Sequence, residues 1–247
     1  MKIGWFTTAR GAGSFNLLNT MLQRLDSEDI RAELSFMYIN REVKGNQNRA
    51  RMIKMVEDRG ARVEIFPSDS FRPDLKERDT AAWREAYGAG MRERIAKYPM
   101  DIGVLAGYML ILDPETCRRH TIINLHPALP DSYKGTWEEI VDQVVDNGDD
   151  RYGATVHLCT PDLDRGDTIA FDSFDVKRFR SPGANREDLA KVIRAEGVRR
   201  EALLLMEAIK AIVDGEIVIH DGHVIDASGK QLGKKADLSK RIDHRLS

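Results

Sequence analysis

Ile3-Gly4-Trp5-Phe6-Thr7, followed by Arg10-Gly11-Ala12-Gly13-Ser14 and then by Leu17, Leu18, Met21 and Leu25, is the stretch that decides the fold. A short apolar run, a glycine turn and a helix with one apolar stripe make a strand–turn–helix unit. The unit recurs. Leu34–Ile39 reads as a second strand and Asn48–Arg59 as a helix with Met52, Met55 and Val56 inward. Arg62–Phe66 is a third strand, Thr80–Tyr98 a helix, Ile102–Ala106 a fourth strand and Thr121–Leu125 a fifth. This alternation predicts an α/β fold, a doubly wound and mostly parallel sheet flanked by helices.

After Asn124 the rhythm changes. A loop to Gly135 leads to a helix near Trp137–Val145, and Asn147-Gly148-Asp149-Asp150 reads as a turn. Ala154–Cys159 and Thr168–Val176 are expected to pair antiparallel about Asp162–Gly166. Asn185–Val213 reads as a long helix stopped by Asp214-Gly215. Glu216–Ile219 and His223–Ile225 frame Asp221-Gly222 as a short hairpin. The Pro, Ser and Asp content of Ser68–Arg78 reads as a mobile loop. The last twenty or so residues are charged and poorly periodic, which predicts a frayed or partner-dependent tail. The expected organisation is one catalytic domain over residues 1–226 and a charged tail over 227–247.

At 247 residues the chain can bury a sizeable core. Its 38 basic residues against 40 acids, net charge −2, argue against a generic binder of nucleic acid or membrane. Lys177-Arg178-Phe179-Arg180 and Lys234-Lys235 are local basic runs, read as solvated faces with Asp175 and Asp237 beside them. The two cysteines, Cys117 and Cys159, stand in no metal-ligand spacing, and Cys159 reads as a buried small hydrophobe. No apolar run approaches a membrane span, and the start goes straight into strand-like sequence without a signal region. A reduced, cytoplasmic setting is expected.

The chemistry concentrates in Asn124-Leu125-His126-Pro127, with Val156-His157 and Asp162-Leu163-Asp164-Arg165-Gly166 some thirty residues on. Loops beyond strand ends hold polar groups in clefts. Asn124 offers an amide donor, His126 can be a cation near neutral pH, and Asp164 can relay a proton. Together they suit attack of an amine on a formyl carbonyl, whose oxygen gathers negative charge. From spacing alone, two other readings stay open. The first is a polar turn after a strand, with His126 satisfying backbone carbonyls. The second is a metal site built from His126, His157 and Asp164, although a histidine inside an apolar strand is more often a core residue.

Arg10-Gly11-Ala12-Gly13-Ser14 is the second feature. A helix N-terminus with exposed amides attracts phosphate, and Ser14 can cap the helix or donate to the phosphate. The dinucleotide fingerprint needs glycine or alanine where Asn16 stands, and no Gly-Lys-Ser/Thr sequence completes a nucleotide loop.

In that order, these motifs resemble the folate-dependent formyltransferase family, most closely its branch acting on glycinamide ribonucleotide. The resemblance covers roughly residues 1–220. It rests on Gly11–Ser14, Trp83-Arg84-Glu85-Ala86-Tyr87, Val104-Leu105-Ala106-Gly107-Tyr108-Met109, Ile123–Pro130, and Gly153–His157 through Asp162–Gly166. It implies Asn124, His126 and Asp164 as the catalytic trio, with His157 in support. It also implies Gly11, Gly13 and Ser14 on the substrate phosphate, and Glu201 on the ribose hydroxyls. Met109, Leu110, Ile111 and Leu112 would form the wall of the folate pocket, with Arg84 and Asn124 also on the folate side. The fold implied is formyltransferase-like, with a C-terminal antiparallel portion, a long helix and a short hairpin.

The sequence departs from the family pattern in several places. Leu110 stands where an arginine is usual, Phe15 separates Ser14 from Asn16, and Ala128-Leu129-Pro130 is one residue short. Ser68–Lys76 is lengthened and a tail follows Ile225.

The function implied is transfer of a formyl group from 10-formyltetrahydrofolate, as co-substrate, to the amine of glycinamide ribonucleotide in purine biosynthesis, without a metal. Its partners would be small molecules, a folate and a phosphorylated amine. No nucleic acid or membrane is expected, and a homodimer is compatible. A formyltransferase acting on another amine, such as a nucleotide-linked amino sugar, is the main alternative. Such a member is expected to carry a nucleotide-binding region, for which the sequence after Ile225 has little room. Formyltetrahydrofolate hydrolysis is expected to come with an N-terminal regulatory domain, whereas Lys2–Thr7 is already a strand. A non-catalytic folate or nucleotide binder would have no need of all three catalytic side chains.

Overall fold

Buried apolar runs form the strands in the order the sequence predicts. The computed structural model describes residues 1–180, 185–230 and 236–247. Strand β1 (Lys2–Thr7) leads to helix α1 (Ala12–Asp26), then β2 (Glu33–Ile39), α2 (Gln47–Glu57) and β3 (Arg62–Ile65). Helices α3 (Pro73–Arg78) and α4 (Thr80–Ile95) precede β4 (Ile102–Leu105), α5 (Pro114–Arg119) and β5 (Ile122–His126). Then come α6 (Trp137–Asp146), β6 (Arg151–Leu158), β7 (Thr168–Asp175) and the long α7 (Arg186–Val213). The hairpin β8 (Ile217–His220) and β9 (His223–Asp226) follows, and α8 (Ser239–Leu246) ends the chain.

One seven-stranded sheet has the order β3-β2-β1-β4-β5-β6-β7. β1 pairs parallel with β2 and β4, β2 with β3, and β4 with β5. β6 and β7 pair antiparallel from Arg151↔Asp175 to His157↔Thr168, as the two apolar runs around Asp162–Gly166 predict. The doubly wound reading therefore holds, with its antiparallel end. Chain contacts group into two compact units: Met1–Asn124 with Leu158–Gly166, and Leu125–His157 with Asp167–Ser247.

In the first unit the parallel strands bury an aromatic core of Phe6, Phe36, Tyr38, Phe66, Trp83 and Tyr87. Rings this large bring polar tips that must be satisfied. Tyr38 and Tyr87 hydroxyls meet at 2.8 Å, and Tyr87 donates to the Phe66 carbonyl at 2.5 Å. Burial pushes both phenols above their ordinary pKa. This core also corrects the expectation of a mobile Ser68–Arg78. The Phe71 ring packs edge-on to Phe66 and Tyr87, Trp83 Nε1 donates to the Phe71 carbonyl at 2.7 Å, and Pro73 starts α3. Pro at a first helical position supplies a φ already suited to helix.

In the second unit Ala128, Ile140, Val141, Val144, Tyr152, Phe174 and Ile193 form the core. A capping box between Thr136 and Glu139 starts α6. Asp221 and Gly222 both adopt positive φ, 49° and 77°, as a two-residue Asp-Gly hairpin requires. The tail departs from expectation, although Lys234-Lys235 and part of its length lie outside the described residues. Asp237 bridges to Phe171 on β7, and Ser239 Oγ accepts from Ser173 N at 3.0 Å. α8 then buries Ile242 completely and presents Arg241 and Arg245 to the buried Glu207. Its period was hidden because one apolar side chain and several ion pairs, rather than a stripe, hold it down.

Replacing Ile242 by Ala is expected to cost about 2–5 kcal/mol of stability, the usual penalty for an emptied aliphatic site. Urea unfolding measures it. An unchanged midpoint would mean that α8 does not contribute to the folded core.

Candidate functional site

The carboxyl ends of β1 and β4 build the glycine loop of the first unit. Thr8 N donates to the Gly107 carbonyl at 3.0 Å, and Thr8 Oγ1 accepts from Met109 N at 2.9 Å. Gly107 has φ +67° and its missing Cβ would lie 3.3 Å from Ser14 Cβ, so a side chain there would be strained and crowded. Ser14 is buried and its hydroxyl turns back to the Gly11 carbonyl at 3.4 Å. Gly11, rather than Ser14, is the N-cap of α1, and no side chain caps the helix. The first amides of α1 are left for an anion, and the helix dipole favours one. A Cβ at Gly11 or Gly13 would meet nothing within 4 Å, so the loop keeps open space. Phe15, the departure from the family pattern, is covered by the Arg51 guanidinium at 4.7 Å.

Met109–Leu112 follows β4 and alternates. Met109 and Ile111 are 54% and 44% exposed, whereas Leu110 and Leu112 pack against the aromatic core. Met109 and Ile111 thus present the larger apolar surface, while Leu110 and Leu112 are partly buried. Arg84 is half-buried on α4 and forms no ion pair among the described residues.

Asn124 lies near the carboxyl end of β5, one residue before the chain passes into the second unit. Asp164 occupies a tight turn with φ +53°, a region that Asp tolerates better than most residues. The turn is closed by Arg165 N to the Asp162 carbonyl at 3.2 Å and by Thr160 Oγ1 to the same carbonyl at 2.8 Å. A Cβ on Gly166 would meet the Leu158 carbonyl oxygen at 1.9 Å, which fixes glycine there. Behind the turn, burial first, then Cys117 and Asp164, push the Cys159 thiol well above its ordinary pKa, which disfavours the thiolate.

In the second unit the His126 and His157 rings meet edge to face, centroids 6.2 Å apart. His157 is buried within β6. His126 Nε2 is 3.2 Å from the Tyr133 carbonyl oxygen. A carbonyl only accepts, so Nε2 carries a proton, and Nδ1 is the nitrogen that can gain or lose one. Neither Tyr133 nor its carbonyl was legible as a partner in the sequence. Tyr133 is itself held, its hydroxyl donating to Asp149 at 2.6 Å and accepting from Asn147 at 2.8 Å. The shortened Ala128-Leu129-Pro130 loop is tied down by Thr155 Oγ1 donating to the Ala128 carbonyl at 2.7 Å. Among the described residues no three His, Cys, Asp or Glu side chains gather as a metal site.

Glu201 is buried on α7 and already paired: Arg194 Nη1 and Nη2 reach its two oxygens at 2.5 and 3.3 Å. Arg194 also stacks on Trp137 at 4.7 Å. A ribose ligand at Glu201 would have to share or displace Arg194, a partner the sequence reading missed. An i,i+7 spacing on one helix face was the available signal.

A family model described as formyl transferase matches residues 10–198, which includes every sequence-derived site residue except Glu201. Phosphoribosylglycinamide formyltransferase of Escherichia coli (strain K12) is 29% identical over 140 residues, 56% of this chain and 61% of that protein. Formyltetrahydrofolate deformylase of Bacillus subtilis (strain 168) is 29% identical over 135 residues, 54% of this chain and 42% of that one. The matches thus span less than two thirds of either relative. The crystal structure of glycinamide ribonucleotide transformylase 1 from Symbiobacterium toebii superposes with a TM-score of 0.69 at 23% identity, covering 92% of this chain and 93% of that chain. That likeness shows the fold.

Because Leu110 packs inward, Leu110→Arg is expected to lose about 1–3 kcal/mol of stability rather than gain folate affinity. Chemical denaturation beside folate titration separates the two. Tighter folate binding at unchanged stability would mean that the side chain can turn outward.

Proposed function

This chain belongs to the formyl transferase family, and we propose that it moves a formyl group from 10-formyltetrahydrofolate to the primary amine of glycinamide ribonucleotide, a step of purine biosynthesis. The observation that carries the reading is the His126 imidazole, held through Nε2 by a backbone carbonyl so that Nδ1 is the working nitrogen. The Asn124 amide and the protonated His126 stabilise the negative charge that develops on the formyl oxygen. The amine nitrogen bonds to the formyl carbon, and the bond from that carbon to the folate nitrogen breaks. The amine must lose one proton and the folate nitrogen must gain one. Asp164 relays it, directly or through water. His157 packs beside His126 and limits its ring orientation.

In this reading the open amides around Gly11 and Gly13, with Ser14, receive the substrate phosphate. Met109 and Ile111 give the folate an apolar wall, and Arg84 gives it a cation. Glu201 would contact the ribose once Arg194 yields. The folate serves as co-substrate and supplies the formyl group. The catalytic residues all lie within residues 1–226, and the protein acts in the cytoplasm with small molecules as partners and a homodimer compatible.

A second reading replaces the amine by water and releases formate. The similarity to a formyltetrahydrofolate deformylase at the same 29% identity favours keeping it. The discriminating experiment supplies purified protein with 10-formyltetrahydrofolate, with and without glycinamide ribonucleotide, and follows folate absorbance and product mass. The expected result is folate release that requires the amine, together with its formylated product. Folate and formate released without the amine would replace transfer by hydrolysis.

His126→Ala should lower turnover by about 10²–10⁴-fold, the range for removing a proton-transfer or oxyanion group, and leave folate affinity nearly unchanged. Turnover at the parent rate would remove His126 from the mechanism.

A further inference from the structure

A second polar corner of the first unit lies beside the glycine loop and takes no part in the reaction proposed above. An open cavity of about 450 Å³ is lined by Arg41, Glu42, Lys44, Arg49, Asp69 and Ser70. Three cations face two carboxylates there. Arg41 is the best compensated, bonded to Ser68 Oγ at 2.9 Å and paired with Asp69. Lys44 is exposed and forms no ion pair among the described residues.

Arg49 is the informative group. It lines the cavity, yet only 7% of its surface is exposed. Its Nη2 donates to the Thr8 carbonyl at 3.1 Å and its Nη1 to the Glu42 carbonyl. Neither acceptor carries a formal charge, and Nε has no partner among the described residues. Burial lowers the Arg49 pKa, Arg41 repels it further, and only Asp69 acts the other way. A buried guanidinium without a carboxylate is costly, and a buried unpaired donor adds to that cost. Asn40, the residue before Arg41, is also fully buried with both side-chain amide atoms unpartnered among the described residues. The described residues do not resolve this polar deficit among themselves.

We infer that the cavity is a second anion site that takes a phosphate group, separate from the amides of the glycine loop. A tetrahedral dianion accepts donors from several directions at once, which suits the Arg49 Nε, the Lys44 ammonium and the Ser70 hydroxyl around one space. The site is also preformed. Ser68 N and Oγ donate to the Asn40 carbonyl at 3.0 and 3.1 Å, and Asn46 caps α2 while its Nδ2 donates to the Arg10 carbonyl at 3.1 Å. Arg49 ties the cavity wall to Thr8, in the chain entering the glycine loop. The inference does not depend on which amine accepts the formyl group.

The test is titration calorimetry of the 247-residue chain with inorganic phosphate at fixed ionic strength, repeated with acetate. Lys44→Gln, on an exposed side chain, and Arg49→Gln are the cavity variants. Gly13→Asp places a carboxylate in the glycine loop, where the structure has room for it. Phosphate binding that survives Gly13→Asp, and that weakens on the order of tenfold in each cavity variant, is the expected result, one charge-assisted bond being lost in each. Arg49→Gln is judged beside its unfolding midpoint, and Lys44→Gln decides the matter if Arg49→Gln fails to fold. Phosphate binding abolished by Gly13→Asp and untouched by Lys44→Gln would overturn the inference. So would acetate competing as well as phosphate, or no phosphate binding at all.

Discussion

Thr8 is the residue on which the first unit's carboxyl edge depends. Its N–H goes to Gly107, its hydroxyl receives Met109 N, and its carbonyl receives Arg49. One residue past β1 therefore fixes three connections: the glycine loop into α1, the apolar wall after β4, and the first turn of α2. A parallel sheet buried on both faces directs its free polar groups to the strand ends. Here those ends are tied together before any ligand arrives. The positive φ of Gly107 and its approach to Ser14 follow from that tie, because the β4 connection must turn sharply over the start of α1.

The second unit solves a different problem, the burial of charge. Arg200 meets Asp172 through two bonds of 2.6 and 2.7 Å, with both side chains almost wholly buried, and α8 adds Asp243 at 2.8 Å. Breaking one partner of such a pair strands the other, which is why buried pairs resist substitution more than they stabilise. The C-terminal helix is thus part of the electrostatic balance of α7. In the same unit, a carbonyl rather than a carboxylate holds the His126 ring. The Tyr133 carbonyl fixes the proton on His126 Nε2 and adds no charge of its own.

Much of this was legible in the sequence. Strand-length apolar runs and helix-period stripes gave every strand and the long helices, and Asp221-Gly222 named its own hairpin turn. The short helices α3 and α5 were not read, since six residues carry too little period. Yet Asp113 before Pro114 was a usable start signal, and Asp113 does cap Thr116 N. The proposed catalytic residues were singled out because they follow strand-like apolar runs in a motif order. What escaped were contacts made by backbone atoms or by side chains distant in sequence: the Tyr133 carbonyl, the Arg194 latch on Glu201 and the Arg49 bonds to Thr8 and Glu42. None of these leaves a periodic trace. Leu110 shows the converse, since the alternation along Met109–Leu112 sets which side chains pack on the aromatic core.

The central proposal is that Asn124 and Asp164 of the first unit act on one formyl carbonyl. Groups acting on the same transition state are strongly non-additive. The most direct measurement is the kcat/KM for formyl transfer in Asn124→Ala, Asp164→Ala and the double variant. The account predicts that the double variant is about as slow as the slower single variant. Losses that multiply would contradict it, because the two side chains would then act independently.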